Sequence, residues 1–218
     1  MAPAVTATKA PPYWSRAKRA LKANDAVLAG LIQRHPRVFL VPRGEPFFTL
    51  ARAIVGQQIS VKAANAIWSR VHASCLEFSP RAVLRKRVTT LRGCGLSDRK
   101  VEYLRDLAQH FVREHIDVAM LQRSTDDEVV ARLTAVRGIG RWTAEMFLIF
   151  NLLRPDVLPL DDLGLLKAIS LNYMDGEPIE HLNTRAGRAR IAQLAQNWAP
   201  WRSVATWYLW RSLETQNN

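Results

Sequence analysis

From Tyr13 onward, apolar residues return at three- and four-residue spacing along almost the whole chain, the period of a helix with one buried face. Trp14, Ala17 and Leu21 form one such stripe, and Val27, Leu28, Leu31 and Ile32 continue it. Leu50, Ala53 and Ile54 precede a break at Gly56, after which Val61, Ala64, Ile67, Trp68 and Val71 mark a second helix. Val101, Leu104, Leu107, Ala108 and Phe111 mark another. Ser124-Thr125-Asp126-Asp127-Glu128 places side-chain oxygens and acidic charge at the positive end of a helix running to about Ala135. Later helices are expected over Trp142–Asn151, Leu163–Leu171, roughly Thr184–Asn197 and Trp201–Leu213. No stretch alternates with period two for the length of a strand, so the pattern predicts an all-α fold over residues 13–218. Residues 1–12, ending in Pro11-Pro12, have no period and predict a mobile tail.

Composition changes this picture mainly through charge. A net charge of +12 over 218 residues implies a polyanionic partner, with nucleic acid foremost and a ribosome-associated or merely basic protein as the plain alternative. The first acidic residue is Asp25, and five basic residues precede it; a tail followed by a basic helix is preferred to a transit peptide. The longest apolar runs, Met146–Leu153 and Val157–Leu160, fall far short of the roughly 20 residues of a membrane-spanning helix, and no secretory signal is present. Two cysteines, Cys75 and Cys94, are too few for a disulfide scaffold or a four-cysteine metal cluster. His110 and His115, five apart, would lie about 140° apart around a helix and give no metal site.

Spacing carries the chemistry. Leu133-Thr134-Ala135-Val136-Arg137-Gly138-Ile139-Gly140-Arg141-Trp142-Thr143-Ala144 reads as helix, tight turn, helix. Two glycines around one apolar residue let the backbone turn without a Cβ clash, and the helix that follows offers N–H groups and a positive end to a phosphate. Ile139 would anchor the turn in the core; a helix that simply ends in glycine is the alternative. Leu91-Arg92-Gly93-Cys94-Gly95-Leu96-Ser97 is a weaker echo, expected as a packing turn between lobes. Val157–Lys167 sets Asp161 and Asp162 in an apolar segment at a helix start. Such a pair is ordinarily an N-cap and its neighbour, yet one carboxylate can cap while the other works, and Gly164 leaves space beside it.

In four blocks the chain resembles the helix-hairpin-helix DNA glycosylases, specifically the 3-methyladenine DNA glycosylase II type without the mixed α/β N-terminal domain of larger relatives. Ala53–Ala64 is similar to the family's lesion-facing helix-loop-helix, Val136–Ala144 to its hairpin, Leu158–Lys167 to the segment with the catalytic Asp, and Trp198–Ser203 to its C-terminal signature. The resemblance implies two helical lobes with a DNA-binding cleft and the hairpin at about 131–151. It implies Asp162 as the catalytic carboxylate, aligned through Lys167, with Asp161 as cap or backbone anchor. Trp142, Met146 and Trp201 match base-pocket positions, with Met146 standing where some relatives carry tyrosine. Gln57, Gln58, Ser60, Gly138, Gly140, Arg141 and Thr143 match DNA-contacting positions, and Gln58 stands at the wedge position, where some relatives have leucine. The backbone carbonyls of Thr134, Val136 and Ile139 match a monovalent cation site (Na+ or K+).

Relatives that also cut the backbone carry a lysine nucleophile where this chain has Trp142, so a monofunctional enzyme is implied, with no required cofactor and no iron–sulfur cluster. The implied partner is double-stranded DNA with alkylated bases, bound by a monomer away from membranes. The implied compartment is the bacterial cytoplasm and nucleoid, or the nucleus in a eukaryote, and not the exterior. Three functional readings stand at this point: a glycosylase for cationic alkylated purines such as 3-methyladenine, a non-catalytic DNA-binding helix-hairpin-helix protein, and a glycosylase for oxidised or mismatched bases.

Overall fold

The structure is a computed structural model that describes residues 9–214; most of the tail expected over 1–12 lies outside them. The described part of that tail does not end at Pro12, because Pro11 is buried and its carbonyl accepts from Trp14 N–H at 2.9 Å. Among the described residues every regular element is helical. Two compact units form, one over 43–147 and the other over 9–42 and 148–214.

Among the described residues the second unit comes first, with α1 (Trp14–Asn24) and α2 (Ala26–Arg34). The first unit then holds α3 (Pro46–Gly56), α4 (Val61–Ala73), α5 (Pro80–Arg85), α6 (Val88–Gly93), α7 (Asp98–Val112), α8 (Val118–Arg123) and α9 (Asp126–Thr134). The unit boundary falls within α10 (Arg141–Phe150), and α11 (Leu163–Tyr173), α12 (Ile179–Leu182), α13 (Arg185–Leu194) and α14 (Arg202–Glu214) complete the second unit. The helix expected over Thr184–Asn197 ends its α-helical part at Leu194 and finishes as a 3-10 turn over Ala195–Trp198. The four helices that hydrophobic spacing missed, α5, α6, α8 and α12, are four to six residues long, too short to display a 3.6-residue period.

Local chemistry starts most of these helices. The Asp25, Ser60, Ser79, Ser97, Asp117, Thr125, Asp162 and Thr184 side chains each accept from a first-turn N–H of α2, α4, α5, α7, α8, α9, α11 and α13 respectively. At α9 the cap is reciprocal: Glu128 accepts from Thr125 N–H at 2.8 Å, and that bond holds its carboxyl below the usual range.

In the first unit α7 packs on α3, α5 and α6, burying Val101, Leu104, Leu107 and Ala108. Phe47 stacks on Phe78 and meets Phe111 edge-on. The Gly93–Gly95 turn, expected between lobes, lies inside this unit, where Arg70 Nε donates to Cys94 O at 2.8 Å. His110 and His115 do not point apart as on a continuous helix: α7 ends at Val112 and a left-handed Glu114 (φ 59°) turns the chain back, bringing the ring centroids to 5.4 Å. In the second unit α14 packs on α1, α2 and α11, with Val204, Ala205, Tyr208 and Leu209 buried. Asp25 ties this unit together: Oδ1 caps α2, while Oδ2 accepts from Trp198 Nε1 at 2.8 Å and Tyr173 Oη at 2.9 Å. Burial and that carboxylate both push the Tyr173 hydroxyl pKa up.

Candidate DNA interface and active site

The hairpin is built as its sequence suggests. After α9, Ala135 N–H returns to Ala131 O at 3.3 Å, Val136 N–H to Leu133 O at 3.1 Å and Ile139 N–H to Val136 O at 3.1 Å. Ile139 is buried and anchors the turn. Gly138 is left-handed (φ 81°), and a Cβ there would sit 2.2 Å from the Tyr103 ring, so both conformation and space demand glycine. Gly140 differs: nothing lies within 4 Å of a Cβ at that position, so no packing inside the protein requires it. The first turn of α10 follows immediately, with the N–H groups that a helix cannot satisfy by itself.

The α7 helix buttresses this turn. Asp106 Oδ2 accepts from Arg137 N–H at 2.8 Å, Glu102 pairs with the Arg137 guanidinium, and Tyr103 packs on Gly138. Arg141 stands largely exposed and pairs with buried Glu145 at 2.9 Å. Thr143, expected to contact DNA, is buried. Trp142 is 43% exposed at the start of α10, and Met146 is half-buried one turn on.

The other expected DNA-contacting segment is the loop from α3 to α4. Gln57 is half-buried and its side chain does not point outward: Nε2 donates to Gly138 O at 2.7 Å. Gln58 is exposed and left-handed (φ 56°), an uncommon state for a residue with a Cβ. Ile59 and Val61 expose apolar surface on either side of Ser60, whose hydroxyl is engaged in capping α4. Lys100, which spacing did not single out, donates Nζ to Val55 O and to Gln57 O, each at 2.8 Å, and burial pushes its pKa down. All of these residues belong to the first unit.

Asp162 and Trp201 belong to the second. Here the structure reverses one expectation, because the residue that caps α11 is Asp162, not Asp161. Asp162 Oδ2 accepts from Leu165 N–H at 2.7 Å and also from Trp210 Nε1 at 2.7 Å. Asp161 instead points to Arg188, 2.6 Å away on α13, with both side chains 38% exposed. Trp210 is half-buried, stacks on Phe150 at 5.6 Å and hydrogen-bonds the carboxylate. Gly164 does leave the expected space: a Cβ there would lie 3.1 Å from Asp162 Oδ2 and 3.4 Å from Trp210 Nε1. Trp201 is buried, stacked on Tyr13 at 6.0 Å, with the Arg16 guanidinium 5.0 Å from its ring centroid. Tyr13 donates its hydroxyl to Leu153 O at 2.7 Å, and burial pushes its pKa up to about 12.

Residues 51–186 match the model of the HhH-GPD superfamily of base excision DNA repair proteins. The chain belongs to this family. It is 35% identical over 172 residues to DNA-3-methyladenine glycosylase 1 of Schizosaccharomyces pombe, covering 77% of this chain and 72% of that protein. Among solved structures it is similar to a DNA-3-methyladenine glycosidase from Bacillus halodurans, with a TM-score of 0.82 and 35% identity over 94% of this chain and 92% of that one. It is also similar to the Schizosaccharomyces pombe 3-methyladenine DNA glycosylase in complex with abasic DNA, with a TM-score of 0.74 and 30% identity over 91% and 97% of the two chains. No helix among the described residues is long and apolar enough to cross a membrane.

Proposed function

We propose that this HhH-GPD chain is a monofunctional DNA glycosylase that acts as a monomer, flipping cationic alkylated purines such as 3-methyladenine out of duplex DNA and hydrolysing the N-glycosidic bond. The observation that carries the reading is the Asp162 carboxylate, held on one oxygen by Leu165 N–H and Trp210 Nε1. Breaking the bond builds positive charge on the sugar, and a carboxylate fixed in advance stabilises that charge without reorganising. A base within the duplex cannot reach such a group, so it is extruded, at a cost that is smallest for damaged bases. The hairpin turn and the first turn of α10 hold backbone phosphate, with open space at Gly140 for its close approach. Trp142 beside Met146 in the first unit, and Trp201 in the second, are aromatic groups of the kind that favour a cationic base by about 0.5–2 kcal/mol each. Such a base is already a good leaving group and needs no protonation.

Trp142 stands at the position of the lysine nucleophile, so no Schiff base forms and the product is an intact abasic strand. The carbonyls of Thr134, Val136 and Ile139 fit a monovalent cation. They are neutral oxygens at and just beyond the negative end of α9, and the bond from Ile139 N–H engages only one of the two lone pairs a carbonyl carries on Val136. When bound, the ion would add positive charge behind the phosphate.

The test is incubation with duplex DNA carrying 3-methyladenine or 7-methylguanine, in the presence of borohydride. Release of the free base with an abasic, uncut strand is expected. A trapped covalent adduct, excision of 8-oxoguanine far faster than of methylated purines, or DNA binding without release of any base would overturn the proposal.

A further inference from the structure

The loop after α3 and the hairpin turn are 81 residues apart in sequence, yet a short chain of hydrogen bonds ties them. Lys100 Nζ donates to Val55 O and Gln57 O, and Gln57 Nε2 donates to Gly138 O. Lys100 thereby places its cation on the carbonyls that α3 leaves unsatisfied at its C-terminal end. Gln57 spends its amide on the hairpin backbone. Gln58, the next residue, is exposed and left-handed, a state that persists only where its surroundings hold it there. The α7 helix that carries Lys100 also carries Glu102, Tyr103 and Asp106, all three set against Arg137 and Gly138. One helix therefore braces both segments.

We infer that Lys100 is a positioning residue for base extrusion, which through Gln57 fixes the exposed Gln58 relative to the phosphate-gripping turn. This rests on the functional reading above and adds a device to it. A phosphate contact at the hairpin sets where the strand lies, and a side chain that enters the stack must do so at a fixed distance from that contact. With the link broken, Gln58 is free to leave its left-handed state and the loop no longer presents it in register with the bound strand. Extrusion should suffer, while the chemistry at Asp162, in the other unit, should not.

The experiment compares the unaltered protein with Lys100→Met, which keeps the stem and removes the ammonium, and Lys100→Arg, which keeps a donor. Single-turnover release of 7-methylguanine is measured from a fully paired duplex and from a duplex in which the lesion sits unpaired in a bulge. Lys100→Met should lose about tenfold or more on the paired substrate and less than about threefold on the bulged one, and Lys100→Arg should recover most of the loss. Equal loss on both substrates, or no loss on either, would overturn the inference. A second readout does not depend on bond cleavage: 2-aminopurine at the lesion position brightens when it unstacks. At saturating protein the Lys100→Met complex should brighten less than the unaltered one. Equal brightening overturns the inference, and a Lys100-dependent difference sustains it even if the protein releases no methylated base, an outcome that would count against the glycosylase reading alone.

Discussion

Replacing Asp162 separates its two roles, because its hydrogen bonds and its charge can be removed independently. Both bonds to its side chain from Leu165 N–H and Trp210 Nε1 fall on Oδ2. In Asp162→Asn the amide oxygen can occupy that place and keep both, and asparagine caps a helix about as well as aspartate. What is lost is the negative charge at the N-terminal end of α11, worth about 0.3–1 kcal/mol to stability. For a chain of this size that lowers Tm by roughly 1–4 °C. Asp162→Ala removes the cap, at about 0.5–2 kcal/mol, and leaves the half-buried Trp210 N–H without this acceptor, at about 1 kcal/mol more. Its Tm should fall by roughly 3–12 °C. Excision should follow a different order. In the proposed mechanism the charge that both variants lack stabilises the sugar cation; at an effective dielectric near 20 and a separation of about 4 Å it would be worth about 4 kcal/mol, or roughly a thousandfold in rate. Single-turnover base release, DNA affinity by anisotropy and thermal melts on the three proteins are the measurements. Asp162→Asn should melt close to the unaltered protein, bind DNA as well or better, and release base about a thousandfold more slowly. If it retains more than about a tenth of the rate, or melts as low as Asp162→Ala, then the carboxylate's charge is not what accelerates the reaction, or the amide does not inherit the cap.

Two further outcomes follow from the same geometry. Gly138→Ala must place a Cβ 2.2 Å from the Tyr103 ring at φ 81°, and a double-mutant cycle with Tyr103→Ala should show about 1–3 kcal/mol of coupling, read from denaturant melts; additivity within about 0.5 kcal/mol would mean that the ring does not press on this turn. Asp161→Asn loses an ion pair with Arg188 in which both partners are more than a third exposed, so after solvent screening it should cost less than about 1 kcal/mol and leave excision within about threefold; a loss as deep as that of Asp162→Asn would show that the two carboxylates act together.

Legibility in the sequence divides along the range of the interactions. The capping box at Thr125–Glu128 and the glycine turn at Gly138 can be read because donor, acceptor and backbone state all lie within four residues. The longer helices can be read because each repeats its apolar spacing over about two and a half turns or more, and α5, α6, α8 and α12 cannot because they never complete two. Lys100 is one of 31 cations, and its neighbours in sequence do not mark it; only the fold brings it to Val55 and Gln57, 45 and 43 residues away. Trp210 sits in an apolar stretch that reads as core, and its indole N–H finds Asp162 from 48 residues away.

The Asp161–Asp162 pair fails for a more instructive reason. Which of two adjacent carboxylates is the N-cap depends on the first residue of α11, and a helix boundary read from a pattern is uncertain by more than one residue. Dividing the roles between them, one to cap and one to react, treats capping as consumption of the carboxylate. An N–H donor orients a carboxylate without neutralising it, so capping and electrostatic stabilisation are compatible on one side chain. The bonds from Leu165 and Trp210 fix the Asp162 carboxylate before any substrate arrives, and a charge that need not reorient as the sugar cation develops stabilises it more than a mobile one would. Asp161, paired with a half-buried arginine on α13 in a contact where both side chains are 38% exposed, has no comparable restraint from a helix start, so its charge is the more screened and the less directed of the two.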